Sequence, residues 1–225
     1  MTKEGVLFLK KVLLIGDSVR MGYDSYVKKT LRDTCEVVYP DENCRFAQYV
    51  LRYLTLWREW LQLDENVDLV HWNAGLWDTL ILCEDGCLTP PEYYAFFIDK
   101  ICNRIKTLFP KAKVIFATST PIVESRFEKI AYRLNADVRA YNAIAVEICQ
   151  KYGFAINDMY GVLDGVPEDY YIDCAHPYTI EGVTLTTNAV AKAISDALEL
   201  NFREFVPDDE DVAQIQKKID EVLGI

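Results

Sequence analysis

Lys11-Val12-Leu13-Leu14-Ile15-Gly16-Asp17-Ser18 is the stretch on which the reading of this chain turns. A continuous apolar run rich in β-branched and Leu residues, ended by Gly, is the pattern of a strand buried on both faces. The residues that follow, Val19 to Leu31, have helical spacing, with Tyr23, Tyr26, Val27 and Leu31 available for one face. A buried strand that turns at Gly into a helix is the opening unit of a parallel α/β sheet, and it places the Ser18 hydroxyl at the carboxyl end of the first strand.

The same alternation continues along the chain. Glu36–Tyr39 reads as a second strand, Cys44–Leu61 as a helix burying Phe46, Val50, Leu54, Trp57 and Leu61, and Val67–Asn73 as a third strand running into Gly75. Pro90-Pro91 opens a helix that Pro110 ends, Lys113–Thr118 is a fourth strand, and Arg133–Tyr152 is a long helix with Gly153 as its C-cap. Phe154–Asn157 is a fifth short strand, and the last core helix follows Gly182 and runs to about Leu200. The expected fold class is α/β: a three-layer α/β/α, flavodoxin-like five-stranded parallel sheet with helices on both faces. In such sheets ligands bind beyond the carboxyl ends of the strands, where Ser18, Asn73 and the loop after Thr118 all fall.

The 225 residues fit one domain spanning 1–200, followed by an acidic extension, 201–225. In that extension Pro207-Asp208-Asp209-Glu210-Asp211 places carboxylates in the first turn of a final helix, where the helix dipole favours them. Val212, Ile215, Ile219 and Val222 mark its apolar face, which packs on its own domain or forms a homodimer contact.

Lys plus Arg total 24 against 35 for Asp plus Glu, a formal net charge of -11. That surface repels nucleic acid and anionic headgroups, so neither nucleic acid nor membrane is expected as a partner; its plain purpose is solubility. Nothing approaches the ~20 apolar residues of a membrane span, and Met1–Lys11 carries only the short apolar stretch Val6–Leu9, not a secretory leader. The 7 cysteines form an odd set. Cys83 and Cys87 are the closest pair, but no second pair or histidine cluster supports a metal site, so reduced thiols in a cytoplasmic protein are expected.

The chain has only 2 histidines. His176 lies in Asp173-Cys174-Ala175-His176-Pro177, where Pro177 disfavours helix and makes the segment a loop. Asp173 can fold back onto one ring nitrogen, leaving the other to accept the Ser18 proton, which gives a nucleophile, a base and a base-orienting acid. Ser18 could instead, like Asp17, simply cap the helix that follows. If it acts, its own N–H at the helix start can stabilise an oxyanion. The other histidine, His71, sits in an apolar strand and reads as a core residue.

Gly16-Asp17-Ser18, Gly75-Leu76-Trp77-Asp78 and Asp173-x-x-His176 resemble, in order and spacing, the motif blocks of the SGNH hydrolase superfamily, also called the GDSL esterase/lipase family, over roughly the first 200 residues. The resemblance implies a flavodoxin-like fold, no metal or organic cofactor, and a Ser18–His176–Asp173 triad. Two departures stand out. Trp77 occupies the place where the family has an Asn that donates to the oxyanion, and Asn73, two residues before Gly75, is the expected substitute. No Gly lies between Gly22 and Gly75 to supply the second-block amide, so the N–H of Cys44 or Arg45 is expected there, with Asn43 alternatively capping the helix that follows.

Arg20 and Arg45 are candidates for binding a substrate carboxylate, or for plain salt bridges. Trp77 and Tyr178, with Trp72, are candidates for an aromatic wall, although Trp72 also fits the core; Asp78 is expected to order its own loop. The function expected from all this is hydrolysis of a small-molecule carboxylic ester, with a short acyl (acetyl) group on a carbohydrate or other polar alcohol, through an acyl-enzyme. The alternatives are a lipase or lysophospholipase-type acyl hydrolase, and a non-catalytic ligand-binding protein on the same scaffold.

Overall fold

The computed structural model describes residues 9–224; the stretch read above for a leader lies, up to residue 8, outside them. Its elements are β1 (Lys10–Ile15), α1 (Ser18–Leu31), β2 (Cys35–Val38), α2 (Ala47–Trp60), β3 (Leu69–Trp72), β4 (Ile81–Leu82), α3 (Pro91–Leu108), β5 (Lys113–Ala117), β6 (Ala131–Tyr132), α4 (Asn135–Lys151), β7 (Ala155–Asn157), α5 (Met159–Leu163), α6 (Ile180–Leu198) and α7 (Asp209–Leu223).

Five strands form a parallel sheet in the order β2-β1-β3-β5-β7. The β1 run is apolar throughout because the pleat sends alternate residues to opposite layers. Leu13 and Ile15 join Val70, Trp72, Val114 and Phe116 against Leu54 and Trp57 of α2, Ile98 and Ile101 of α3 and Tyr141 of α4. Val12 and Leu14 join Leu69, Ile115 and Ala117 against Val19, Tyr23 and Val27 of α1 and Val190, Ala191 and Ile194 of α6. The expected three-layer architecture is therefore the observed one.

Several boundaries differ from expectation. Helix α2 starts at Ala47 rather than Cys44, because Arg45 takes a left-handed backbone (φ 52°). Helix α4 starts at Asn135, so Arg133 lies outside it. Helix α6 starts before Gly182, at Ile180, with the Thr179 hydroxyl accepting from Gly182 N–H. The two-residue strands β4 and β6, which no periodicity signals, pair antiparallel (Ile81 with Tyr132, Leu82 with Ala131). They follow β3 and β5 in the chain and join the connections leaving those strands' carboxyl ends.

The C-terminal helix packs on its own chain. Ile215 is buried with Tyr26, Val183 and Phe205, and Ile219 packs beside them, whereas Val222 is 45% exposed. Lys29 of α1 bonds Asp208 at 2.8 Å and Asp211 at 2.7 Å. Asp208 and Asp211 form a capping box at the start of α7, so the acidic first turn is used as the dipole argument requires. Among the described residues no helix is long and apolar enough to cross a membrane, no cluster suits a metal ion, and all the cysteines are free thiols.

Two buried ionisable groups make stability depend on pH. His71 is fully buried in β3, with Nε2 3.2 Å from Asn157 Nδ2, and burial lowers its pKa to about 4. Asp78 accepts from the Ala47 N–H at 3.0 Å and 3.2 Å through its two oxygens, and burial raises it to about 7. A buried histidine with a depressed value contributes stability above its unfolded pKa and loses it as pH falls toward 4; a carboxyl with a raised value loses stability as pH rises from its unfolded value toward 7. In urea unfolding, the stability of His71→Leu relative to the wild type is therefore expected to decline as pH rises from about 4 to 6.5. That of Asp78→Asn is expected to rise between about 4 and 7, and parallel pH profiles would refute the assignment.

Candidate active site

Asp17 and Ser18 divide the two tasks that their sequence left open. Asp17 is the N-cap of α1, its Oδ1 accepting from Val19 N–H at 2.9 Å. Ser18 is the first helical residue, and at that position its N–H has no intrahelical partner. Its hydroxyl stands 2.7 Å from His176 Nε2. His176 Nδ1 lies 2.6 Å from Asp173 Oδ2. The other Asp173 oxygen accepts from the N–H groups of Ala175 at 2.7 Å and His176 at 2.8 Å, so the acid is locked by its own turn. Burial alone would raise the Asp173 carboxyl; the His176 hydrogen bond and charge and the two backbone donors outweigh it and hold the group below the ordinary carboxylate value. An ionised Asp173 accepts a hydrogen bond from Nδ1–H, which leaves Nε2 to accept from Ser18.

The other predicted residues are placed differently. The Cys44 N–H donates to Gly16 O at 3.2 Å, so it braces the turn before Ser18 instead of pointing outward. The Arg45 N–H donates to Asn43 Oδ1 at 2.8 Å, and the exposed guanidinium lies over Tyr49, 5.0 Å from the ring centre, which removes Arg45 from the site. Arg20 is 2% exposed and turns inward, donating to Asp24 and to Glu42 O; it is a structural ion pair and not a substrate ligand. Asn73 is buried beside the Gly16 turn, and its Nδ2 donates to Ala117 O at 2.8 Å and, more weakly, toward Ser119 Oγ at 3.4 Å. Trp77 is half-buried and its indole N–H makes no hydrogen bond among the described residues. Trp72 is wholly buried against Phe116, ring centres 4.9 Å apart, and belongs to the core.

Tyr178 is not a wall residue either. It is 4% exposed, and its hydroxyl donates to Ser18 O. Its ring lies 5.0 Å from the His176 ring on one side and against Gly22 of α1 on another. Tyr178 thus ties the histidine loop to the serine helix.

Two arginines that drew no attention in the sequence also hold the site. Arg126 Nη1 donates to Tyr171 O at 2.7 Å and to Asp173 O at 3.1 Å, and its Nη2 to Glu168 O at 3.0 Å, which clamps the segment carrying the acid. Arg133 Nε donates to Leu76 O at 2.6 Å, in the loop after β3. Neither stands within a recognisable motif, so only the fold shows what they reach. Asp17, buried, has its Oδ2 without a partner, and burial pushes its carboxyl up against the pull of Val19 N–H and of the His176, Arg133 and Arg20 charges.

No family model matches this sequence, and no curated protein matches it. Solved structures do. A lipase/acylhydrolase from Enterococcus faecalis superposes with a TM-score of 0.66 at 17% identity, covering 88% of this chain and 100% of that one. A GDSL-like lipase from Bacteroides thetaiotaomicron gives 0.61 at 20% identity over 84% and 89%. An acetylxylan esterase from Geobacillus stearothermophilus gives 0.60 at 14% identity over 87% and 97%. At these identities the likeness is one of fold, and it extends through nearly the whole of each relative.

The Tyr178 tie yields a stability prediction. A Cβ on Gly22 would lie 2.3 Å from Tyr178 Cε1 and 2.8 Å from Cδ1. Gly22→Ala is expected to destabilise the protein by roughly 1–3 kcal/mol in urea unfolding, the usual cost of overpacking. A neutral or stabilising result would show that the ring is not held there.

Proposed function

We propose that this protein is a serine hydrolase of carboxylic esters. The observation that carries the reading is the unbroken hydrogen-bonded line from Ser18 through His176 to Asp173, at 2.7 Å and 2.6 Å. In this reading Ser18 Oγ attacks the ester carbonyl while His176 Nε2 takes its proton. The tetrahedral oxyanion is met by the Ser18 N–H at the start of α1 and by the weakly held Nδ2 proton of Asn73. His176 then returns the proton to the leaving alcohol, and water, activated by the same imidazole, cleaves the acyl-enzyme. Asp173 keeps the ring in the right tautomer and stabilises it once charged.

The favoured substrate is a short acyl group, acetyl in particular, on a carbohydrate or other polar alcohol. The acetylxylan esterase among the fold relatives supports that choice. One observation favours a second reading, a hydrolase of longer acyl chains: Leu82, Leu88, Ile130 and Leu134 are exposed on and around the small β4–β6 sheet. Rates across p-nitrophenyl acetate, butyrate, octanoate and palmitate separate the two, and a maximum at the long esters would overturn the short-acyl reading.

The reaction itself is tested on Ser18. A fluorophosphonate probe is expected to add covalently to Ser18 of the wild type and not to Ser18→Ala, seen as a mass shift on the intact protein. An unlabelled, folded wild type would mark a binding protein, as the commitment of the Cys44 N–H to Gly16 O also allows. Asp173→Asn is expected to leave the fold intact and lower kcat by about 10⁴, the cost of holding the imidazole in the wrong tautomer.

A further inference from the structure

We propose that Arg133 is a specificity residue that binds a carboxylate on the ester substrate; the inference rests on the esterase reading and names the substrate class. Arg133 lies in the extended segment between β6 and α4, outside the helix to which its sequence position assigned it. Its Nε is spent on Leu76 O at 2.6 Å, which fixes the guanidinium against the loop following β3. The guanidinium lies over the Phe127 ring, 5.8 Å from its centre. The two Nη groups, four N–H donors in a planar fork, make no hydrogen bond to the described residues.

Among the described residues Arg133 forms no ion pair, although Glu84, Glu124 and Glu128 line the same open groove of about 430 Å³. Glu124 is engaged instead, accepting from Asn135 N–H at 2.6 Å. A half-buried guanidinium with unused donors carries a desolvation cost that a carboxylate ligand would offset. The position is the informative one for a hydrolase, because Arg133 sits between Leu76, which lines a small cavity with Asp17 and Asn73, and Phe127, the neighbour of the Arg126 that bonds Asp173 O. The surface as a whole, at a net charge of -11, repels anions. A preference for an anionic ester would therefore have to come from a local group, and Arg133 is a half-buried cation between the Leu76 and Phe127 loops whose Nη groups have no partner among the described residues.

The carboxylate can belong to the alcohol, as in an acetylated sugar acid, or to the acyl group, as in a hemisuccinate. Matched pairs distinguish them. On the alcohol side the pair is 4-acetoxybenzoate against 4-acetoxybenzamide; on the acyl side it is p-nitrophenyl hemisuccinate against p-nitrophenyl butyrate. The wild type is expected to favour the anionic member of one pair in kcat/KM, after correction for spontaneous hydrolysis. Arg133→Gln is expected to lower that preference by about tenfold to a hundredfold, the range for loss of a charge-assisted pair, mainly through KM. Arg133→Lys keeps the charge and should retain part of the preference.

An equal fall for both members of each pair in Arg133→Gln would mean that the residue only positions the Leu76 loop, and would overturn the proposal. So would a wild type indifferent to charge in both pairs, which needs no variant and holds even if Arg133→Gln fails to fold. Failure of the esterase reading looks different: no ester in either pair is cleaved and Ser18 takes no probe.

Discussion

The joint between the start of α1 and the loop before α6 is the contact on which the site depends. Residues 158 positions apart meet there through Ser18 Oγ and His176 Nε2 at 2.7 Å. Tyr178 reinforces the joint by donating to Ser18 O. Neither bond alone could hold two distant segments in register. What holds them is that α1 and α6 already lie side by side over one face of the sheet, burying Val19, Tyr23 and Val27 with Val190, Ala191 and Ile194. The entropy of closing so long a loop grows only logarithmically with length and is offset by burial the fold needs in any case. The hydrogen bonds then select a geometry within an arrangement that the apolar packing has made.

The loop that carries His176 is built to keep its shape without a ligand. Asp173 takes two backbone N–H groups of its own turn, Ile172 and Tyr178 N–H both donate to His176 O, and Val123 N–H reaches across to Cys174 O. Arg126 adds three hydrogen bonds to carbonyls of the same stretch. The C-terminal helix contributes from behind: Lys218 donates to Met21 O of α1 and lies over Tyr178, 5.5 Å from the ring centre. So the extension past residue 200 bears on the same joint as the triad, although no residue of it enters the site.

What the sequence disclosed follows from how local each signal is. The β1 pattern, the Ser after its turn and the Asp–His spacing are all short-range, and the five-stranded parallel sheet came with them. Of the two readings open for Arg20 the ion pair is the one observed, because proximity in sequence is not proximity in direction: two residues along a helix of 3.6 per turn is about 200°, which sends Arg20 away from the Ser18 hydroxyl and toward Asp24 one turn on. Tyr178 was misread for a related reason, since an aromatic next to the Asp–His turn packs inward as readily as outward. Arg133 was hidden by a boundary. Placed inside α4 it would be one more surface cation; the helix starts two residues later, and the extended backbone carries it to Leu76. Cys44 was beyond reach altogether, because the direction in which a backbone N–H points leaves no trace in side-chain identity.

That last point separates the two halves of the candidate machinery. A triad is made of side chains, whose identities are the sequence, and three residues in the right order nearly suffice to suggest it. An oxyanion site is made of donor directions. Here Cys44 N–H is bonded to Gly16 O and one proton of Asn73 Nδ2 to Ala117 O. Those bonds stiffen the turn beneath Ser18, and each donor they hold is one that a developing negative charge does not receive. The Ser18 N–H escapes this exchange, because the first turn of a helix leaves its donors unpaired and the macrodipole favours negative charge there. Rate in such a site is set less by the nucleophile than by how many further donors can be released toward the oxyanion, each worth on the order of 10²–10³. The Asn73 amide, whose second proton meets only Ser119 Oγ at 3.4 Å, is the donor whose release costs least.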